Sequence, residues 1–492
     1  MFKDPFYKSA FKALVVLVSA LALARFTHGY VLPLIVCLGC FWALTGRLGR
    51  AISSYMFFPL LIVVSPMLLP KEGAVWGLSI RFGTMAIAFC MCIGAARLHG
   101  RHRLPFGGII PFLLSACIGS ATGWWPMVSY MKILNYFVFL LGIWFGTQNL
   151  QNRPHDVQTI RAMFFAMAVF LIIGSIVVWP FPQISYATGL RWILQEQGVE
   201  AALAAHKDMI AEGSKTLFCG ITNHSQALAP ILALSFAWVL CDMLFVEKRV
   251  RWLHAILIVL ALPMLFMTRS RVAFTTLVSS LVIINFYTVK KIMIPTLVRQ
   301  HLRHVMLTFV VLIAVAASIL EVKDNTLSKW LRKTQDVQSD TRTLKEAMTE
   351  SRMGLMEMSL YEFRRSPIFG SGFQVAAYSR ERQDQRHGLV LSASIEKGVL
   401  PVMVLGETGI VGEILFILFL ISFYLTAARR KLYVTITMFS LLLVSNLGEA
   451  TFFSPGGIGS ILYILTVVGG FVIDTVLMVQ WKYTICQSNQ SR

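Results

Sequence analysis

The sequence predicts an all-α, polytopic transmembrane helical bundle, and three observations predict it. Hydrophobic residues make up 56% of the 492 and charged ones only 14%, with a mean hydropathy of +0.69. Apolar runs of about 17 to 25 residues, enough to cross hydrocarbon as helix, recur along most of the chain. None shows the period-two alternation of barrel strands, and backbone groups in lipid must be satisfied internally, so the spans are helices.

About fourteen spans are expected, at residues 9–25, 29–46, 54–70, 75–96, 106–122, 127–147, 161–180, 225–246, 252–267, 272–289, 304–321, 399–427, 431–446 and 458–481. Leaving out the two short runs at 54–70 and 252–267 gives about twelve. The chain then divides into N-terminal helices (1–180), a first outer loop (181–224), central helices (225–321), a large outer loop (322–398), and C-terminal helices with a short tail (399–492).

Basic residues set the orientation. Lys3, Lys8 and Lys12, Arg47 and Arg50, Arg97, Arg101 and Arg103, Arg153, Lys248, Arg249 and Arg251, Lys290, Lys291, Arg299 and Arg303, and Arg429, Arg430 and Lys431 fall in alternate connections, which the positive-inside rule makes cytoplasmic. Both termini are then inside, and the two long polar segments share the opposite face. No small-residue cleavage site follows the first span, so it reads as a retained anchor. The net charge of +20 is spread over the inner loops, which suits topology and anionic membrane lipid rather than nucleic acid.

Cysteine and histidine point to no metal or cofactor. Cys37 and Cys40, and Cys90 and Cys92, lie in apolar helix, where a free cysteine is a small hydrophobe. Only Cys219 falls on the outer face, so no disulfide framework is indicated. His99 and His102 sit in a basic turn without a carboxylate and read as solvated.

Chemistry is expected on the outer face, where residues 322–398 hold a disproportionate share of the 24 carboxylates. Four constellations stand out. Thr268-Arg269-Ser270-Arg271 lies between two apolar helices, where a cation is costly without water or a partner. Two arginine forks there suit phosphate oxygens, or else snorkel to the interface. Phe218 to Gln226 precedes a span; Asn223, His224 and Gln226 either cap the helix or face a sugar or phosphate.

In the large loop, Leu327 to Arg365 has helical composition and ends at the turn Ser366 to Phe373. Leu355, Met356, Met358, Ser359 and Phe363 suggest a helix lying on the membrane surface, with Arg352, Glu357, Arg364 and Arg365 as solvated charges or a second basic patch. Last come Glu396-Lys397-Gly398 and Glu407-Thr408-Gly409-Ile410-Val411-Gly412. Glu407 lies about two turns into a span, a depth at which an ionisable group is a functional candidate. Glu449 is a further outer acid.

Gly220 to His224 before a span, Thr-x-Ser-Arg at 268–271, an arginine-bearing helix ending in Pro-x-x-Gly-x-Gly at 367–372, and Glu-x-Gly-x-x-Gly at 407–412, in that order, resemble the O-antigen ligase/polymerase superfamily. The resemblance covers roughly residues 215 to 460. It implies a glycosyltransferase of C-type architecture that uses an undecaprenyl-pyrophosphate-linked glycan, without nucleotide sugar or metal. Members polymerise repeat units or ligate a finished chain onto lipid A-core. Ligases of the family usually carry a His-Asn pair about nine residues before the motif glutamate; here that position is Gly398, and the nearest histidine, His387, is out of register.

On this reading Arg269, Arg271 and Arg352 stabilise the leaving pyrophosphate. Glu396, Glu407 or His224 takes the acceptor proton, with Glu396 favoured and Glu407 alternatively orienting an arginine. Asn223, Gln226, Arg365 and Lys397 contact sugar or phosphate. The missing histidine favours a polymerase for exopolysaccharide, capsule or O-antigen over a ligase, with the pathway's flippase and chain-length regulator as candidate partners. A polyprenol-glycan transporter is the reading from another class. The sequence offers no inverted repeat or pair of broken helices to support it.

Overall fold

The computed structural model describes residues 4–71, 74–96, 104–123, 125–185, 218–247, 251–289, 344–375, 398–448 and 450–490. The chain is an all-α, polytopic membrane protein: among the described residues seven helices are long and apolar enough to cross a membrane, and six more are shorter and apolar. In chain order they are α1 (Pro5–Phe26), α2 (Leu32–Leu44), α3 (Leu48–Val63), α4 (Ala74–Ala96), α5 (Ile109–Ala121), α6 (Pro126–Gly146), α7 (Pro154–Val178), α8 (Ser225–Cys241), α9 (Trp252–Met267), α10 (Arg271–Val289), α11 (Leu344–Arg365), α12 (Leu400–Arg429), α13 (Tyr433–Asn446), α14 (Ile458–Tyr463) and α15 (Gly469–Gln490). A π turn, Asp242–Glu247, extends α8, and another, Ile464–Val468, joins α14 to α15. The expected spans fall on these helices, except that at 304–321, which lies outside the described residues, as do Leu327 to Thr343 of the loop helix and His99 and His102.

The chain packs as two units, Met1–Met167 with Leu355–Arg492, and Ala168–Gly354. In the first, α2, α4 and α6 pack in succession, α3 closes against α2 and α4, and α12 lies on α5 and α13. Its centre is an aromatic cluster. The Phe453 ring centroid lies 5.1 Å from Phe373, 5.2 Å from Tyr136 and 5.5 Å from Phe112. In the second unit α8 packs on α9 and α10. Every residue of α8 except Gln226 is buried.

Two buried carboxylates fix where helices begin. The expected span at 54–70 is instead α3, Leu48–Val63, because Asp156 of α7 accepts the Gly49 N–H at 3.0 Å. A carboxylate at a helix start satisfies an orphan donor and opposes the dipole, so the helix extends through Arg50, which was expected in a loop. Lys71 closes the other end by donating to the carbonyls of Ile62 (2.8 Å) and Val64 (2.9 Å). Asp474 of α15 does the same for α13, accepting from the Val434 N–H (3.1 Å), the Thr435 N–H (2.8 Å) and the Thr435 hydroxyl (2.7 Å).

The expected continuous span at 399–427 is a broken helix. Within α12, Gly409 has φ 66° and ψ −170°, a region open essentially to glycine alone. The break strands carbonyls before it and N–H groups after it. The turn Pro367–Gly372 supplies both kinds of partner: Ile410 and Val411 donate to the carbonyls of Pro367 (2.9 Å) and Ile368 (3.2 Å), while Ser371 and Gly372 donate to those of Gly406 (3.1 Å) and Glu407 (3.1 Å). Irregular backbone at membrane depth survives only when enclosed and paired in this way.

The break yields a stability prediction. A Cβ at Gly409 would collide with the Ile368 carbonyl, whereas one at Gly77 of α4 meets open space. Gly409→Ala is expected to cost at least the ~1–3 kcal/mol of a glycine-only conformation, and Gly77→Ala to be neutral or stabilising by up to about 1 kcal/mol. Thermal unfolding of the detergent-purified protein checks this; equal shifts for the two variants would deny the break its structural role.

Candidate functional site

In the first unit the site is built around the turn that mends α12. Its remaining backbone groups are paired on the opposite side. Phe373 N–H donates to the Ser120 hydroxyl of α5 (3.3 Å), Ser129 of α6 donates to the Phe373 carbonyl (2.8 Å), and the Lys132 ammonium of α6 donates to the Gln374 carbonyl (2.8 Å). Gly370 and Gly372 have φ of 78° and 117°, and a Cβ at Gly370 would strike the Glu407 carbonyl. The turn can therefore lie backbone to backbone on α12 only with glycine at that position.

Glu407 sits one turn before the Ile410 N–H, at the point where the helix is interrupted, and is 1% exposed. Its neighbour Thr408 turns its hydroxyl onto the Val404 carbonyl at 2.8 Å. α11 crosses here, its Ser359 backbone packed against Gly406. The buried side of α11 is Ser359 and Glu362, both 0% exposed, while Leu360 and Tyr361 are exposed. Of the expected contact face, Ser359 is buried and Leu355, Met356, Met358 and Phe363 are half-buried. Close backbone packing against a glycine selects a small residue, so hydrophobicity is a poor guide to the contact. Glu357, Arg364 and Arg365 are exposed.

The structure thus brings Glu407 and Glu362 into the packed layer where α11, the 367–375 turn and the α12 break meet. Arg352 lies on α11, its side chain outside the described residues, and Glu396, Lys397, His387 and Glu449 also fall outside them. Gly398, the position where ligases of the resembled family carry histidine or asparagine, has φ 86°. Its carbonyl accepts the Ala450 N–H at 3.1 Å, and a Cβ there would lie 3.2 Å from Leu355 Cβ.

In the second unit, two polar turns occupy the same end of the three antiparallel helices α8, α9 and α10. The first runs from Phe218 to His224. Cys219 N–H donates to the Ser185 carbonyl at 2.7 Å and Ile221 N–H to the Ser175 hydroxyl at 3.1 Å, with Gly220 at φ 55° making the corner. His224 is the N-cap of α8: its Nδ1 accepts the Gln226 N–H at 3.0 Å. A neutral ring whose Nδ1 accepts carries its proton on Nε2. Asn223, His224 and Gln226 are half-buried. Burial pushes the Cys219 thiol up to about 12, which keeps it protonated and unreactive.

The second turn holds the arginine pair. α9 ends at Met267 and α10 begins at Arg271, so Thr268, Arg269 and Ser270 alone reverse the chain. Thr268 donates to the Leu265 carbonyl at 2.7 Å and the Ser270 hydroxyl accepts the Ala273 N–H at 3.3 Å. Arg269 takes the left-handed conformation, φ 50°, and both arginines are half-buried. Arg271 opens α10, whose N-terminal dipole adds positive potential to its guanidinium.

Ionisable residues beyond the expected ones also lie inside the bundle: Lys132, Asp156, Glu362, Glu413, Asp474 and the buried pair Asp242 and His254, whose Oδ2 and Nε2 are 3.4 Å apart. Lys132, Asp242, His254, Glu413 and Asp474 are polar letters in apolar runs, the signal that singled out Glu407, whereas Asp156 and Glu362 lie among other polar residues. Asp156, Asp474 and Lys132 bind backbone groups, which makes them structural.

No curated protein matches the chain. The family model described as O-antigen ligase matches residues 256–417, about a third of the chain. That segment contains the arginine turn, the 367–372 turn and the Glu407 to Gly412 motif, while the Phe218 to Gln226 segment precedes it. Over these residues, with the motifs in order and set at helix breaks and turns of an all-α membrane bundle, the chain is similar to the O-antigen ligase family.

Proposed function

We propose that the chain is an inner-membrane polysaccharide polymerase, joining undecaprenyl-pyrophosphate-linked oligosaccharide repeat units on the periplasmic face. The family match supports a role in ligase or polymerase chemistry of bacterial surface polysaccharide. The observation that favours polymerisation is Gly398. It stands where ligases carry histidine or asparagine, in a left-handed conformation, bonded through its carbonyl and close against α11. A side chain there would be strained by the positive φ and crowded by Leu355.

In the reaction, an acceptor sugar hydroxyl attacks the donor's anomeric carbon. The bond from that carbon to the pyrophosphate oxygen breaks, and undecaprenyl pyrophosphate leaves with the electron pair. Charge on the leaving group grows along this path, so preplaced cations stabilise the transition state more than the ground state. Arg269 and Arg271 at their three-residue turn, with the α10 N-terminus behind them, suit that task. Arg352 is assigned there too.

The hydroxyl proton goes to Glu396, the base of choice because Glu407 is enclosed at the α12 break with no surface to offer an acceptor. Glu407 acts as a positioning residue. His224, with Nδ1 committed to its helix cap, serves as a donor beside Asn223 and Gln226, and Arg365 and Lys397 complete the glycan contacts. A flippase and a chain-length regulator would act with the enzyme.

Purified protein given the lipid-linked repeat unit, without nucleotide sugar or added metal, is expected to produce a ladder of products on a gel. Transfer only after lipid A-core is added would make it a ligase, and inactivity in both assays would favour a transporter. Arg271→Ala should lower the polymerisation rate by about 10²–10³-fold, and unchanged turnover would remove the arginine from the phosphate site. Glu396→Gln should lower it by about 10²–10⁴-fold and abolish the acid limb of the pH–rate profile. A retained limb would transfer the base role elsewhere. Gly398→His is expected to destabilise the protein without conferring transfer to lipid A-core; acquired ligase activity would contradict the reading of Gly398.

A further inference from the structure

The first unit contains a cavity remote in sequence from the motifs. It measures about 580 Å³ and opens between α1, α2, α3 and the start of α7, within the usual range of ligand pockets, about 300–1,000 Å³. Its depth is hydrocarbon, lined by Val16, Leu17, Leu38, Phe57 and Met163. Its mouth is polar, formed by Ser9 and Lys12 of α1, Arg50 and Ser53 of α3, and His155 and Gln158 of α7.

Among the described residues no carboxylate lines the positively charged mouth. No ion pair joins Lys12 or Arg50 to any described acid. The neighbouring acid, Asp156, is engaged elsewhere, by Gly49 N–H at 3.0 Å and Arg153 at 3.1 Å. Arg50 is held in place by the Trp42 ring, its guanidinium carbon 5.9 Å from the ring centroid, and Gln158 donates to the Ser9 hydroxyl at 3.4 Å. These cations belong to the basic end of the bundle, where α1 and α3 start and α2 stops.

We propose that this cavity binds an anionic phospholipid of the leaflet at that end, one acyl chain filling the apolar slot and the phosphate meeting Lys12, Arg50 and His155. Charge complementarity selects the headgroup. The single-ended arrangement, with the cations at the mouth and a lining beneath that is apolar apart from the hydroxyls of Ser54 and Thr159, matches an amphiphile whose tail runs along the helices. A water-soluble anion would leave that slot unfilled.

The test is native mass spectrometry of the full-length protein in detergent, titrated with phosphatidylglycerol or phosphatidylcholine. Phosphatidylglycerol is expected to be retained preferentially. Lys12→Gln with Arg50→Gln should weaken it about 30-fold, the loss for two basic side chains facing anionic lipid. Lys12→Arg with Arg50→Lys should retain it, which separates lost charge from lost folding. Ala20→Phe, which keeps the charges and fills the slot, should abolish it. Equal retention of the two lipids, or unaltered phosphatidylglycerol binding by the charge-removed and slot-filled variants, would overturn the site. Displacement of phosphatidylglycerol by equimolar undecaprenyl phosphate would overturn the choice of phospholipid.

Discussion

The structure depends most on the need to pair the backbone where α12 breaks. At Gly409 the helix leaves helical geometry, and the amides of Ile410 and Val411 and the carbonyls of Gly406 and Glu407 lose helical partners. Inside a membrane protein no bulk water replaces them, and an unsatisfied buried group costs about 1–3 kcal/mol. The Pro367–Gly372 turn pairs all four, and Ser120, Ser129 and Lys132 pair the residues that follow. This accounting fixes α11 as well, since the turn continues directly from its C-terminus. The last part of a large polar segment is thereby built into the bundle, and Glu407 is held at the junction.

Charges inside the apolar bundle sort by what they bind. Asp156 and Asp474 occupy the starts of α3 and α13, where helix N–H groups need acceptors, and Lys132 serves a loop carbonyl. They act as architecture. The arginine turn differs: Arg269 adopts a left-handed conformation and Arg271 begins a helix, so two strong donors are placed at one end of a helical hairpin by a connection of only three residues. Short polar turns between apolar helices hold side chains with little freedom, which suits a phosphate-binding role.

Much of this was legible in the sequence, and the failures have physical causes. Span positions follow from hydrophobic length alone, and the arginine turn and Glu407 are conspicuous as charges in apolar text. The start of α3 was misjudged because its cap, Asp156, is supplied from another helix. The break in α12 was missed because glycine is tolerated within membrane helices, and only the partner turn, about forty residues earlier in the chain, makes the broken form stable. On α11 the hydrophobic pattern does not pick out Glu362, which is enclosed beside the buried Ser359.

The paired backbone makes residues 366–375 and 406–411 one cooperative structure, with Glu407 held at the mend. Amide hydrogen exchange of the full-length protein in detergent tests this directly. Both segments should be protected to a similar degree and lose protection together when Gly409 is replaced by alanine; rapid exchange at 371–374 beside a protected 406–411 would contradict it.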